Sequence, residues 1–263
     1  MSLSYGICRL SIVPVRNAAS DQSEMVTQLL FGDHYELLAR DETNKWARIK
    51  LVFDGYEGWI DLRQHAEIPA DYFHQINNSD YKVSLDATAS ILYKKDHIAI
   101  VRGSILPIST SELFKMEEQL AFNGEAKSLN QKRDFAFLRS VAVDYLNTPY
   151  LWGGRSPFGI DCSGFTQIVF RICGYTLPRD ASFQANEGTV VSFADRLPGD
   201  LVFFGNDDGK VTHVGILLEE DEIIHASGKV RIDTLTKHGI INRTSGVRSH
   251  RFHAIKRILK ETL

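Results

Sequence analysis

Apolar positions along the chain follow two different rhythms. In the first 62 or so residues they come in short runs, Cys8 to Val15, Tyr35 to Ala39, Trp46 to Val52 and Glu57 to Ile60, with Asp54-Gly55 marking a hairpin turn between the last two. Such runs are strands, so this part reads as a small all-β module. Tyr81 to Ala87, Ser90 to Tyr93 and His97 to Val101, followed by Gly103-Ser-Ile-Leu-Pro, predict a second, divergent β module. At Arg133 the rhythm changes: Phe135, Leu138, Ala142 and Leu146 recur at helical spacing, and a helix over 133–146 should open the last domain. The expected division is 1–64, 65–128 and 129–263.

Within that last stretch, Thr148 to Gly159 is rich in Gly and Pro and reads as a loop. A second helix should begin at Cys162, because Phe165, Ile168, Val169 and Ile172 keep helical spacing and Gly174 stands where a helix commonly stops. Pro198-Gly199-Asp200 reads as a turn into a buried strand, Leu201 to Phe204. Val211 to Leu218 and Glu222 to Ala226 read as the two arms of a hairpin. Centred on Glu219, that hairpin would set His213 directly opposite His225 with both side chains on one face. The acidic run Glu219 to Glu222 would be its solvated tip.

These elements place candidate chemistry. A cysteine at a helix N-terminus faces unpaired N–H groups and the positive end of the macrodipole, which should lower the thiol pKa and favour the thiolate. His213 would serve as base and His225 as its orienter, the general arrangement of nucleophilic catalysis. Singly, each residue reads equally as packing: a cysteine opening a helix is often a small buried hydrophobe. The spacings of Cys162, His213 and His225 match no short metal signature, so neither metal nor cofactor is expected.

Composition narrows the classes of partner. Lys plus Arg number 30 against 33 Asp plus Glu in 263 residues, with no basic tract, which argues against nucleic acid. No stretch approaches the roughly 18 apolar residues of a membrane span, so no membrane partner is expected. Three scattered cysteines, at 8, 162 and 173, are unlike a secreted disulfide framework, and Cys8 and Cys173 read as packing residues. The first ten residues lack a charged region followed by an apolar core, so with Met1 as the natural start the expected location is cytoplasmic. A monomer is expected.

Six segments carry a resemblance. Tyr150-Leu-Trp-Gly-Gly, Asp161-Cys-Ser-Gly-Phe, Leu177-Pro-Arg-Asp-Ala-Ser, Pro198-Gly-Asp-Leu-Val-Phe-Phe, Thr212-His-Val-Gly-Ile and Ile224-His-Ala, in that order, closely resemble the NlpC-type cell-wall cysteine peptidases. Val15-Arg16-Asn17, Glu24 to Asp33 and Gly55 to Ile60 resemble a bacterial SH3-like module. The resemblance implies an α+β chain: a C-terminal papain-like catalytic domain preceded by one or two small SH3-like β-barrels. It makes Cys162 the nucleophile, His213 the base, His225 the third polar residue, and Tyr150 an oxyanion donor beside the Cys162 N–H.

β modules joined to such a domain resemble the γ-D-glutamyl-L-diamino acid endopeptidases of murein peptide recycling. The implied substrate is a murein-derived peptide with a free N-terminal L-Ala, cut after γ-D-Glu to release L-Ala-D-Glu. By the same resemblance Asp161, Ser163, Tyr56 and Glu24 would recognise the free amine. Arg179 and Ser182 suit the free α-carboxylate of the glutamyl residue, with Asp180 near the substrate backbone or amine. Arg179 reads equally as a domain-interface ion pair. Two other functions stay open: a secreted hydrolase of intact stem peptides, and a non-catalytic wall-binding protein.

Overall fold

The computed structural model describes residues 4–93, 95–106 and 120–259, which divide into two compact units, Met1–Gln131 and Lys132–Leu263. In the first unit, strands β1 (Ser4–Ile7), β2 (Ile12–Arg16), β3 (Met25–Leu30), β4 (His34–Arg40), β5 (Trp46–Leu51), β6 (Glu57–Asp61) and β7 (Ala66–Ile68) form one antiparallel sheet. Its order is β3-β2-β6-β5-β4-β1-β7, wrapped around buried Val13, Val15, Leu29, Tyr35, Ile49 and Ile60. The run expected from Cys8 to Val15 is broken, since Cys8 lies between β1 and β2, fully buried and with a free thiol.

Helix α1 (Ala70–Asn77) follows, and then β8 (Lys82–Ser84), β9 (Thr88–Tyr93), β10 (Asp96–Val101), β11 (Ile105–Leu106), β12 (Leu120–Asn123) and β13 (Ala126–Ser128). They pair as two three-stranded sheets, β10-β9-β12 and β11-β8-β13. Pro107, the end of the expected Gly103 segment, lies outside the described residues. Both expected β modules fall within this one unit. They share apolar contacts: Phe31 of the first packs with Ile91, Ile100 and Leu106 of the second, and the Ile105 N–H donates to the Phe31 carbonyl at 2.8 Å.

The second unit opens with α2 (Phe135–Val143), capped by the Asp134 carboxylate, which accepts from the Phe137 N–H at 3.0 Å. A short hairpin, β14 (Arg155–Ser156) and β15 (Gly159–Ile160), leads into α3 (Cys162–Ile172). This is the helix the apolar spacing predicts. Phe165, Ile168, Val169 and Ile172 are fully buried, each worth about 1.5–3 kcal/mol of burial. Cys173 caps the end, and Gly174 takes the left-handed conformation (φ +85°) that lets the chain turn away.

Beyond the one-turn helix α4 (Ala181–Gln184) comes an antiparallel sheet of β16 (Thr189–Val191), β17 (Leu201–Gly205), β18 (Val211–Leu217), β19 (Glu222–Ser227), β20 (Lys229–Thr236), β21 (Gly239–Ile241) and β22 (Arg248–Arg257). The order is β16-β22-β17-β18-β19-β20-β21, and β21 pairs again with β22, so six strands close on themselves. Val202, Phe204, Leu217, Ile223, Leu235, Ile240 and Ile255 cluster on one face and make its core. The Pro198-Gly199-Asp200 turn is held by Asp200, whose carboxylate accepts from the Leu197 N–H and from both arms of Arg257.

The β18–β19 register differs from the expected one. Gly215, not His213, is the partner of His225, and the hairpin is centred on Glu220, whose φ is +55°. A tip of four acidic residues contains no turn signature that would place its centre. The offset is two residues, and strand side chains alternate with period two, so both histidines keep to one face.

Candidate active site

Asp161 builds the nucleophile's position. As N-cap of α3 it accepts from the Gly164 N–H at 2.7 Å through Oδ1, while Oδ2 accepts from the Gly153 N–H at 2.8 Å and so ties the glycine loop to the helix. The same carboxylate also forms an ion pair: the Arg179 guanidinium straddles it at 3.0 and 2.6 Å, both groups buried. The cap uses Gly164 and leaves the Cys162 N–H at the buried first turn of the helix, where no backbone partner among the described residues takes it.

The thiol itself does not behave as the helix position predicts. Burial, and then the Asp161 carboxylate, push Cys162 up to about 12, against the N–H groups of Val214 and Ser163 and the Arg179 charge. The dipole of an eleven-residue helix is outweighed by the loss of water around the sulfur. The sulfur therefore rests as a thiol, and attack by it would need a base. Val214, which donates its N–H to the sulfur, is the residue after His213.

The candidate base, His213, stands at the end of a chain of three groups. His213 Nε2 lies 2.8 Å from His225 Nδ1, and His225 Nε2 lies 3.1 Å from Asp233 Oδ2, all three residues buried. Burial alone would raise Asp233, but hydrogen bonds from His225, the Arg243 N–H and Arg231 hold its carboxyl at about 2. An ionised Asp233 accepts, so His225 carries its proton on Nε2 and accepts on Nδ1. His213 then donates from Nε2 and presents Nδ1 as a bare lone pair. Burial, with His250 and His225 beside it, holds His213 well below its ordinary value of 6.5, so it rests as the free base.

Two of these residues escape a motif reading: Asp233 on β20 and His250 on β22. The His250 ring stacks on His213 with centroids 4.0 Å apart and planes within 23°. Asp233 did leave a signal, an acid at an inward strand position two residues before buried Leu235, since a buried carboxylate requires partners. His213, His225 and His250 also form a group whose ligand nitrogens lie within 4.8 Å of one another. Their geometry suits a proton relay better than an ion. The His213–His225 hydrogen bond occupies two of the nitrogens, and the His250 ring lies face to face with His213.

Tyr150 is half-buried on the loop that precedes the hairpin, held by its own N–H to the Gly228 carbonyl at 3.0 Å. Burial and the nearby Cys162 and Asp161 push its hydroxyl up to about 12, so it remains a donor. Ser163 accepts from Arg179 at 2.9 Å and donates to Asp161 at 3.3 Å. The fork expected to meet a substrate carboxylate is thus already closed on Asp161, in an ion pair within the second unit and not at a domain interface. Asp180 is the backbone N-cap residue of α4 and half-buried, and Ser182 is exposed on that helix. Tyr56 and Glu24 belong to the first unit. Tyr56 sits half-buried at the β5–β6 turn, where its N–H donates to Asp54 at 3.0 Å, and exposed Glu24 precedes β3 and accepts from Asn17 at 3.2 Å.

A helix-borne thiol that takes the N–H of Val214, the residue after a buried strand-borne imidazole, with a second imidazole and a carboxylate lined up behind that imidazole, is the residue set of a cysteine hydrolase. Comparison with known proteins gives the particular kind. The sequence pattern of the NlpC/P60 family matches residues 147–249, and that of the bacterial dipeptidyl-peptidase SH3 domain matches residues 15–64. The chain is 30% identical over 233 residues to a gamma-D-glutamyl-L-lysine dipeptidyl-peptidase of Bacillus subtilis, covering 80% of this chain and 76% of that one. It is 30% identical over 263 residues to the Bacillus cereus protein of the same name, covering 88% and 77%. A crystal structure of an NlpC/P60 family protein from Bacillus cereus shares the fold, with a TM-score of 0.80 at 21% identity over 97% of this chain and 99% of that one. The chain belongs to the NlpC/P60 family: it is a peptidase of the cysteine type, α+β, with an SH3-like domain before the catalytic one.

Proposed function

We propose that the chain hydrolyses the amide between the γ-carboxyl of D-glutamate and the amine of L-lysine or meso-diaminopimelate, in murein peptides with a free N-terminal L-Ala, and releases L-Ala-D-Glu. The observation that carries this reading is the pairing of the His213–His225–Asp233 relay, next to a Cys162 sulfur that takes the Val214 N–H, with a first domain of the dipeptidyl-peptidase kind. The relay supports catalysis over a wall-binding role.

His213 Nδ1 takes the thiol proton as sulfur attacks the γ-glutamyl carbonyl. The oxyanion is met by the Cys162 N–H and the Tyr150 hydroxyl. The same Nδ1 gives its proton to the departing amine, then takes one from the water that releases the acyl group. Asp161 and Ser163, held in place by Arg179, line the pocket for the free amine of L-Ala. Asp180 and Ser182 are the remaining candidates for contact with the peptide, and no cofactor enters any step.

The test is to incubate the protein with free L-Ala-γ-D-Glu-meso-diaminopimelate, its N-acetylated counterpart and insoluble peptidoglycan, and to identify products by mass. Cleavage of the free peptide alone is the expected result. Cleavage of the blocked peptide or the polymer would mean a wall hydrolase instead. Cys162→Ala should remain folded and bind the free peptide without releasing product.

A further inference from the structure

The catalytic unit contains a cavity of about 350 Å³ that no step above uses. Three of its lining residues belong to the surroundings of His213. Thr212 is its neighbour in the chain, the Phe204 ring lies 5.9 Å from its ring, and His250 stacks on it at 4.0 Å. A general acid must stand within hydrogen-bond reach of the nitrogen it protonates. The residue that leaves on that nitrogen is therefore placed beside His213, and this cavity shares Thr212, Phe204 and His250 with the surroundings of His213.

The cavity's charge is informative. Arg248, Arg251 and Asp207 all line it. Arg251 is spent on Asp207, at 2.9 Å. Arg248 is exposed and has no hydrogen-bond or ion-pair partner among the described residues. One positive charge is thus left over, carried by a planar fork suited to a carboxylate. The diamino acid leaving group brings that chemistry: an α-carboxylate next to the freed amine when it is the terminal residue and, in meso-diaminopimelate, a second carboxylate at the end of its side chain.

We propose that Arg248 binds a carboxylate of the departing diamino acid, which makes this cavity the leaving-group subsite and Arg248 a specificity residue. The inference rests on the substrate reading above. The experiment measures kcat/KM for wild type and Arg248→Gln on L-Ala-γ-D-Glu-L-Lys, on the same peptide with a C-terminal amide, and on L-Ala-γ-D-Glu-meso-diaminopimelate. Wild type should prefer a carboxylate-bearing substrate over the amide by roughly tenfold, chiefly through KM, and Arg248→Gln should collapse that preference. Arg248→Lys should restore part of it.

A preference for the lysine acid over its amide identifies the α-carboxylate. A preference confined to the diaminopimelate peptide identifies the side-chain carboxylate. Equal turnover of all three by wild type, or a preference that survives in Arg248→Gln, overturns the assignment. A wild-type enzyme inert on all three overturns the substrate reading itself, and the inference with it.

Discussion

His213 is competent because of what its neighbours forbid. Asp233 cannot donate, so the proton order along the relay is imposed from the carboxylate outward and ends with a bare Nδ1. Asp233→Asn can reverse that order: an amide N–H offered to His225 Nε2 makes His225 the donor to His213 and moves the His213 proton to Nδ1, the wrong nitrogen. Steady-state kinetics of that variant should show kcat lower by on the order of a hundredfold or more with KM little changed. The second consequence concerns pH. Because His213 is held well below 6.5 by burial and by His250 and His225, its base form survives into acid. The kcat/KM profile should stay level from neutral pH down past 6.5 and fall only below it. An acid limb at or above 6.5 would contradict the buried, neutral imidazole described here.

Among the elements, the β18–β19 hairpin carries the tightest constraint, at a residue with no side chain. Gly215 faces His225, and a Cβ there would stand 2.9 Å from Ile223 Cδ1 and 3.0 Å from His225 Cβ. Gly215→Ala should therefore push His225 off His213, costing about 1–3 kcal/mol by urea denaturation and lowering kcat. Helix α3 was legible from composition and spacing alone, because an apolar stripe, a capping acid and a terminal glycine all mark it. The hairpin arms were legible too. Their register was not, since Glu220 adopts a left-handed conformation that its side chain does not advertise. Strands β20 to β22 hid for the opposite reason: Arg231, Asp233 and His250 occupy inward positions where alternation leads one to look for apolar residues. The polar end of the closed sheet, which completes the site, is the part that hydrophobic patterning cannot see. Helix α1 went unread between two β regions, although Tyr72, Phe73 and Ile76 bury one of its faces.

At the scale of the molecule, buried titratable groups set the pH range in which the fold is stable. His213 and His250 are held below their ordinary 6.5, His250 to about 4, with burial the first cause in each. Unfolding exposes both and lets them take up protons, so the stability they contribute is complete above 6.5 and drains as pH falls through the folded values. Asp233, held at about 2 against an ordinary 3.8, adds a further loss between those two values. On the alkaline side burial pushes Cys8, in the first unit, and Cys162, in the second, from 9.0 up to about 12. Their protonated state favours the fold fully below 9.0 and loses its effect as pH climbs toward 12. Urea midpoints measured from pH 4 to 10 should therefore form a plateau between about 6.5 and 9, with a decline on either side. Replacing His250 with Phe keeps an aromatic ring against His213 but removes a group that gains a proton on unfolding. In that variant the slope between pH 6.5 and 4 should be shallower while the alkaline decline is unchanged, and an identical acid slope would place the loss elsewhere.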